Sequence, residues 1–414
     1  MDSGHTAWML IATALVFFMT PGLAFFYGGL VRAKNLVNTI MMSFMSIAIV
    51  SIVWVLWGYS LAFGTGNAFI GDFSHLGLSG VSFTSSEGDD IPPLLFVAFQ
   101  MMFAVITPAL ITGAFAERFK FSTYLIFLVL WSTLVYSPIT HWVWASNTLA
   151  NGTEVNGWLW DLGALDFAGG TVIHINAGMA AVVAALLVGK RRNPGLQSNN
   201  VPYVVLGAAI LWLGWFGFNA GSAVAANDSA ANAFLVTSLA ASTAALTWGV
   251  ISHLKTGKMG AIGVATGAVA GLVAITPAAG AVNAMGSLAI GFGAGFICFF
   301  AVEILHKTNM DDALDVFAVH GVGGIWGAIA TGIFALESIT GGTKGLIEGN
   351  VEQVGIQAVG VVATLAYSGI VSLIILFILD KIPGLGLRSS ESDEDIGLDL
   401  AEHGEQATVQ DGAN

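Results

Sequence analysis

Two histidines lie inside apolar, glycine-rich stretches, and each follows an aspartate by eight residues. Asp166 and His174 occur in LDFAGGTVIHINAGMAAVV; Asp312 and His320 occur in DDALDVFAVHGVGGIWGAI. Imidazole is the side chain whose ordinary titration falls near neutral pH, so it can donate or accept a proton there. A charged residue at the centre of a bilayer costs roughly 2.5–3.5 kcal/mol on insertion scales, and ionisable groups in such segments mark polar pathways. Two titratable rings at matching points of two hydrophobic segments therefore point to a polar route through a membrane. The aspartates open or precede their helices, where a carboxylate accepts from free N–H groups and favours the helix dipole. Capping, rather than proton transfer, is the role expected of them. His5, His75, His141, His253, His306 and His403 fall at span ends, in loops or in the tail, so no buried metal set is expected.

Aromatic residues supply a second set of candidates. Phe99 and Phe103 stand one helical turn apart in VAFQMMFAV. Tyr136 and Trp144 stand in VYSPITHWVW, and Trp215, Phe218 and Ser222 in GWFGFNAGSA. Taken singly, an outer Trp is equally well explained by an interfacial belt.

The elements that must position these groups are membrane spans. Only 9% of the 414 residues are charged and 56% are hydrophobic, against about 25% charged in soluble proteins. Eleven apolar stretches approach the ~20 residues that cross hydrocarbon. They cover residues 8–31, 38–62, 92–115, 121–144, 167–188, 201–223, 231–253, 260–279, 283–306, 316–336 and 353–379. With the N-terminus outside, every Lys and Arg except Lys344 falls in an inner loop or the inner C-terminal region. The positive-inside rule thus predicts an N-out, C-in chain. The first stretch lacks a basic leader and is followed by Arg32 and Lys34, so it reads as a retained helix and not as a cleaved signal. The single cysteine, Cys298, excludes an intrachain disulfide.

The first ten stretches divide into two sets of five, and the fifth of each set carries the Asp…His pair. PGLAFFYGGLV opens the first set, and WFGFNAGSAV, of the same character, opens the second. An odd number of helices per set requires the second set to be inverted, a plan in which sites lie between the repeats. The expected fold is therefore all-α: eleven transmembrane helices, an inverted five-plus-five repeat and one extra helix. Two domains are expected, a membrane body over residues 1–387 and an acidic cytoplasmic tail over 388–414. The tail carries eight acids and one base, and so seven of the thirteen net negative charges. Its plainest reading is a solvated, disordered terminus.

Gly217/Gly221, Gly267/Gly271, Gly291/Gly295 and Gly323/Gly327 have the small-residue spacing that lets helices approach closely in lipid. The outer loops 64–91 and 145–165 are acidic, through Asp72, Glu87, Asp89, Asp90, Glu154 and Asp161, and attract cations mildly.

LDFAGGTVIH, FGFNAGS, PGLAFFYGGLVRAKN, GAFAERFKF, the DDALDVFAVHGVGGIWG block and the final GLDLAEHGE together resemble the ammonium transporter (Amt/Mep/Rh) family, in its microbial Amt branch. The resemblance runs from the first span to the tail. It implies an outer ammonium site at Trp144, Ser222 and Phe103, a phenyl gate at Phe103 and Phe218, and a twin-histidine pore at His174 and His320. Asp166 would support the vestibule, and Trp215, Phe99 and Tyr136 would flank it. The resemblance also implies a homotrimer in a cell (inner) membrane, with the tail docking on the cytoplasmic face and helping a PII-type regulator to block the pore. Thr408 stands where many relatives have Tyr. No cofactor, metal, nucleic acid or enzymatic step is expected.

The physics agrees with such a substrate. Ammonium has four donors and no acceptors. An aromatic face attracts it by roughly 0.5–2 kcal/mol, and a hydroxyl can accept one of its protons. An apolar pore below would resist the ion, because the Born cost of a bare ammonium-sized ion is on the order of 20 kcal/mol. Ammonia is then the expected pore species. Two other readings stay open at this stage: an ammonium sensor of the same fold, and a membrane oxidoreductase with haem held by the two histidines.

Overall fold

The computed structural model describes residues 1–85, 90–148, 152–195 and 198–407. Glu87 and Asp89 of the outer acidic loop, and Thr408 of the tail, lie outside the described residues.

Among the described residues, ten helices are long and apolar enough to cross a membrane. In chain order they are α1 Ser3–Leu30, α2 Ala33–Phe63, α3 Pro93–Phe115, α4 Phe121–Trp144, α5 Gly170–Val188, α6 Val201–Gly221, α7 Asp228–Thr256, α9 Ala284–Leu305, α10 Phe317–Phe334 and α11 Glu352–Lys381. Between α7 and α9 lies α8, Ala261–Ile275, apolar but only 15 residues long. The sequence pattern extends this stretch to residue 279, whereas the helix stops at Ile275 and the chain turns through Pro277 and Gly280. A two-stranded antiparallel hairpin, β1 Ser146–Thr148 and β2 Glu154–Asn156, follows α4.

Local chemistry sets the helix starts. Asn200, Asn227 and Asn283 each accept an amide three residues on, at the beginnings of α6, α7 and α9. Gly257 ends α7 in the left-handed conformation.

Small residues set the packing. The α1–α6 seam is so close that a Cβ on Gly207 would lie 2.3 Å from the Phe26 nitrogen, and one on Gly217 2.7 Å from the Ala12 carbonyl. Helix α7 is held on two sides in the same way. Gly267 and Gly271 of α8, and Gly291 and Gly295 of α9, all meet the backbone or side chains at Ala240, Ala244 and their neighbours. The glycine spacings noted in the sequence therefore sit at helix contacts. Leu10, Phe44, Leu254 and Ile370 are among the large apolar side chains left exposed on the helix surface, as lipid-facing positions would be.

Helix α1 lies along α6, and α5 crosses α10. The second crossing carries both histidines.

Candidate functional site

Helices α5 and α10 both begin with a π-helical turn, Gly170–Ile175 and Phe317–Val322, and each turn contains its histidine. Single π turns inside α-helices are rare and concentrate at functional sites. Four residues after each histidine stands a glycine that receives the other helix. A Cβ on Gly178 would lie 2.4 Å from Gly321 Cα, and one on Gly324 would lie 3.1 Å from His174 Cβ. This close crossing brings the two Nδ1 atoms to 3.2 Å, with both rings buried.

The contact fixes what the pair can offer. One Nδ1 must donate and the other accept. The accepting ring then carries its proton on Nε2, and the donating ring leaves Nε2 as an acceptor. The pair thus presents one N–H and one lone pair. His174 Nε2 has no partner among the described residues. Direct ring contact also leaves no space for a metal and macrocycle between the imidazoles. The haem reading is thereby contradicted for this pair.

Asp166 caps the start of α5. Its two oxygens accept from Gly169 N at 2.9 Å, Gly170 N at 2.5 Å, Thr171 N at 2.8 Å and Val172 N at 3.3 Å, and from the Thr171 hydroxyl. Its backbone carbonyl accepts from Trp144 Nε1 at 2.8 Å. One residue therefore ties the His174 helix to the Trp144 ring. This is the capping role expected from the sequence.

Trp144, Phe103, Ser222 and Asp166 line one cavity of about 480 Å³, together with Gln100, Trp160 and Phe167. The Phe103 and Trp144 rings lie edge to face, 5.9 Å apart. Ser222 donates its hydroxyl to Phe218 O at 2.8 Å, so its oxygen faces incoming groups as an acceptor. Two residues on, Val224 adopts a left-handed conformation (φ 54) at the rim of the same cavity. At the floor, Phe103 and Phe218 are in contact, with centroids 4.5 Å apart. Below them lies a narrow cavity of about 10 Å³, room for one water-sized molecule. Its wall is Met19, Leu23, Leu110, Trp215 and other apolar groups, with His174 and His320 as its titratable members.

The flanking residues divide. Phe99 packs on Phe103 at 4.8 Å and beside Gly221. Trp215 stacks on His174 at 5.5 Å and donates to Thr276 Oγ1 at 2.9 Å. Tyr136 is buried with its ring 6.3 Å from that of Trp54, and, like Phe99, it lies behind the residues that line the two cavities.

A family model described as Ammonium Transporter Family matches residues 7–408. The chain belongs to this family. The ammonium transporter of Aquifex aeolicus is 52% identical over 98% of this chain and 94% of its own length. That of Bacillus subtilis is 47% identical over 98% and 99%. Among solved structures, the crystal structure of Saccharomyces cerevisiae Mep2 has a TM-score of 0.89 at 37% identity, covering 100% of this chain and 93% of that one. A structure titled Sensor Amt Protein has a TM-score of 0.88 at 30% identity, covering 97% and 98%.

In this family member the end of the bundle with the basic loops holds a third cavity, about 490 Å³, lined by Lys190, Arg191, His306, Asp311 and Asp312 among others. Arg191 pairs with Asp311 at 2.7 Å and lies near Glu117, which also binds Arg32. Arg118 is fully buried and donates to the carbonyls of Ala114, Ala116, Gly189 and Asp311. It reads from the sequence as a loop charge, yet it acts as an internal clasp. His306 bonds Asp315 at 2.7 Å, and that bond holds its imidazole above the ordinary value. His141, placed by the sequence at a span end, is fully buried with its ring nitrogens against the carbonyls of Ala62 and Asn67. No periodicity signals such contacts, because each depends on distant backbone carbonyls.

Proposed function

We propose that this chain carries ammonium, as ammonia in the pore, across a cell membrane. Ammonium is recruited by the faces of Trp144 and Phe103 and by the Ser222 oxygen. It gives a proton to water in the outer cavity, passes the Phe103–Phe218 gate and reaches the His174–His320 pair as ammonia. The observation that carries this reading is the sequence of environments: an aromatic and hydroxyl vestibule, a closed phenyl pair, then an apolar cavity whose titratable wall is two mutually bonded histidines. Cation–π attraction draws a cation to the first of these, and the Born cost excludes it from the last.

The same reading has eleven transmembrane helices, with α8 as the short one, in an inverted five-plus-five repeat with the N-terminus outside. It has residues 1–387 as the transport domain and 388–414 as the tail, a homotrimer in the inner membrane, a PII-type regulator at the cytoplasmic face, and no enzymatic step. A sensor role is the second reading, favoured by the likeness to Sensor Amt Protein. The more similar proteins named as transporters support the first.

Uptake of ammonia into proteoliposomes under an ammonium gradient, followed by an entrapped pH dye, tests it. Trp144→Leu and Ser222→Ala should raise the half-saturating ammonium concentration, each by about tenfold for a loss near 1.4 kcal/mol, while the protein still inserts. Unchanged concentration dependence in both variants would remove these residues from the recruitment site. A wild-type protein that binds ammonium without flux would favour the sensor.

A further inference from the structure

The two aspartates that cap the histidine helices have matching places in the sequence and unlike surroundings. Asp166 has donors on both oxygens. Asp312 accepts from Phe317 N at 2.7 Å through Oδ2, while its Oδ1 has no partner among the described residues. Asp312 is 6% exposed and lines the cavity at the basic-loop end. Phe317, which it holds, is three residues before His320, roughly 4.5 Å along the helix. A buried carboxylate with a bare oxygen is costly, and burial favours the protonated form, which carries no charge and turns that oxygen into a hydroxyl.

The groups facing it are otherwise engaged. Asp311 is bonded to Arg191, and Asp315 to His306. Lys190 donates to Asn309, Arg118 donates to carbonyls only, and the Tyr27 hydroxyl donates to Leu110 O. No cation is paired directly with Asp312 among the described residues, and Asp315 adds a like charge nearby.

We propose that Asp312 is the proton-carrying acid at the inner mouth, handing its Oδ1 proton to ammonia that leaves the twin-histidine cavity. The O–H bond of the carboxylic acid breaks and an N–H bond forms, giving carboxylate and ammonium. A hydronium ion from the inner solution then returns a proton to the carboxylate and is left as water. The direction is downhill, since ammonia is a stronger base than a carboxylate. Burial and the Asp315 charge push this carboxyl up to about 7, against the Phe317 and Val316 amides and the Arg118 charge, which favour the carboxylate. The ammonia step rests on the transport reading above; the proton on Asp312 does not.

Infrared titration of membrane-embedded protein with isotope-labelled aspartate reads that proton without transport. A carboxylic-acid C=O band should titrate near neutral pH, be lost in Asp312→Asn, and move to lower pH in Asp315→Asn, where the like charge is removed. In proteoliposomes, wild-type ammonia uptake, followed by an entrapped pH dye, should fall severalfold as inner pH rises past 7, and Asp312→Asn should be slower and flat. No neutral-range band in wild-type protein, or a band that survives in Asp312→Asn, overturns the assignment. So does an unaltered inner-pH profile in a variant that still conducts. If Asp312→Asn fails to fold, the wild-type and Asp315→Asn titrations decide it. A protein that shows the band but carries no ammonium defeats the transport reading and leaves the proton site standing.

Discussion

His174 and His320 are set apart less by burial than by what their contact leaves open. Many buried histidines spend both nitrogens on the backbone, as His141 does. The twin pair spends one nitrogen each on the other ring and directs the remaining two edges into an apolar cavity. Replacing both with Leu removes every titratable group from that wall. The expected result is loss of most ammonium transport, or loss of discrimination against other cations, with insertion retained. Wild-type flux and selectivity in the double variant would make the pair a packing feature. At this scale the sequence was informative about identity. The histidines and their aspartates were visible as ionisable residues in apolar text. The difference between Asp166 and Asp312 was not, because it depends on which amides each carboxylate reaches, not on spacing. The π-helical turn Ser132–Tyr136 and the packing of Tyr136 beside Trp54 were likewise invisible in the sequence.

At the scale of the element, the spans were legible because lipid demands long apolar helices. Their internal irregularities were not. Nothing in the hydropathy marks the π turns at Gly170–Ile175 and Phe317–Val322, and the helix α8 is cut short where Thr276 and Pro277 turn the chain. The glycines four residues after each histidine were a readable signal, since His-x-x-x-Gly occurs in both segments. Their meaning needed the crossing geometry. Gly178→Ala would force a methyl to within 2.4 Å of the Gly321 backbone, which has no side chain to yield. Overpacking of this kind costs about 1–3 kcal/mol and would separate the two imidazoles. A lowered melting temperature in detergent and loss of ammonium transport are expected. Gly355→Ala is the control: it lies on α11 with nothing within 4 Å of the new methyl, and it should leave both unchanged. Equal behaviour of the two variants would mean that the α5–α10 distance does not govern conduction.

Across the whole molecule, the tail departs most from its plainest sequence reading. Through residue 407 it is folded back on the body as two short helices, Glu391–Ile396 and Leu398–His403. Leu398 and Asp399 are buried. Asp399 Oδ1 accepts from Asn38 N at 2.8 Å, capping the start of the long helical part of α2, and Leu398 N donates to Asn35 Oδ1 at 2.9 Å. Lys34 Nζ reaches the carbonyls of Glu394 and Asp395, and the His403 ring lies edge-on to Phe121 at 4.6 Å. Of the consecutive basic residues Lys190, Arg191 and Arg192, only Arg192 pairs with the tail's acids among the described residues, at Glu391 and Asp395. Arg191 is taken by Asp311, and Lys190 by Asn309. The sequence overstated long-range charge and could not reveal buried caps. This balance decides how the dock should respond. The Arg192 pairs are solvent-exposed and contribute about 0–1 kcal/mol, so salt should loosen the tail only slightly. Asp399→Ala removes a cap and should cost about 0.5–2 kcal/mol, freeing the tail to proteases at low and high salt alike. Deleting residues after Arg388 should leave insertion intact, change ammonium current, and abolish any response to a PII-type trimer. Current and PII response equal to full length, in both the deletion and Asp399→Ala, would show that the dock is structural and that regulation enters elsewhere.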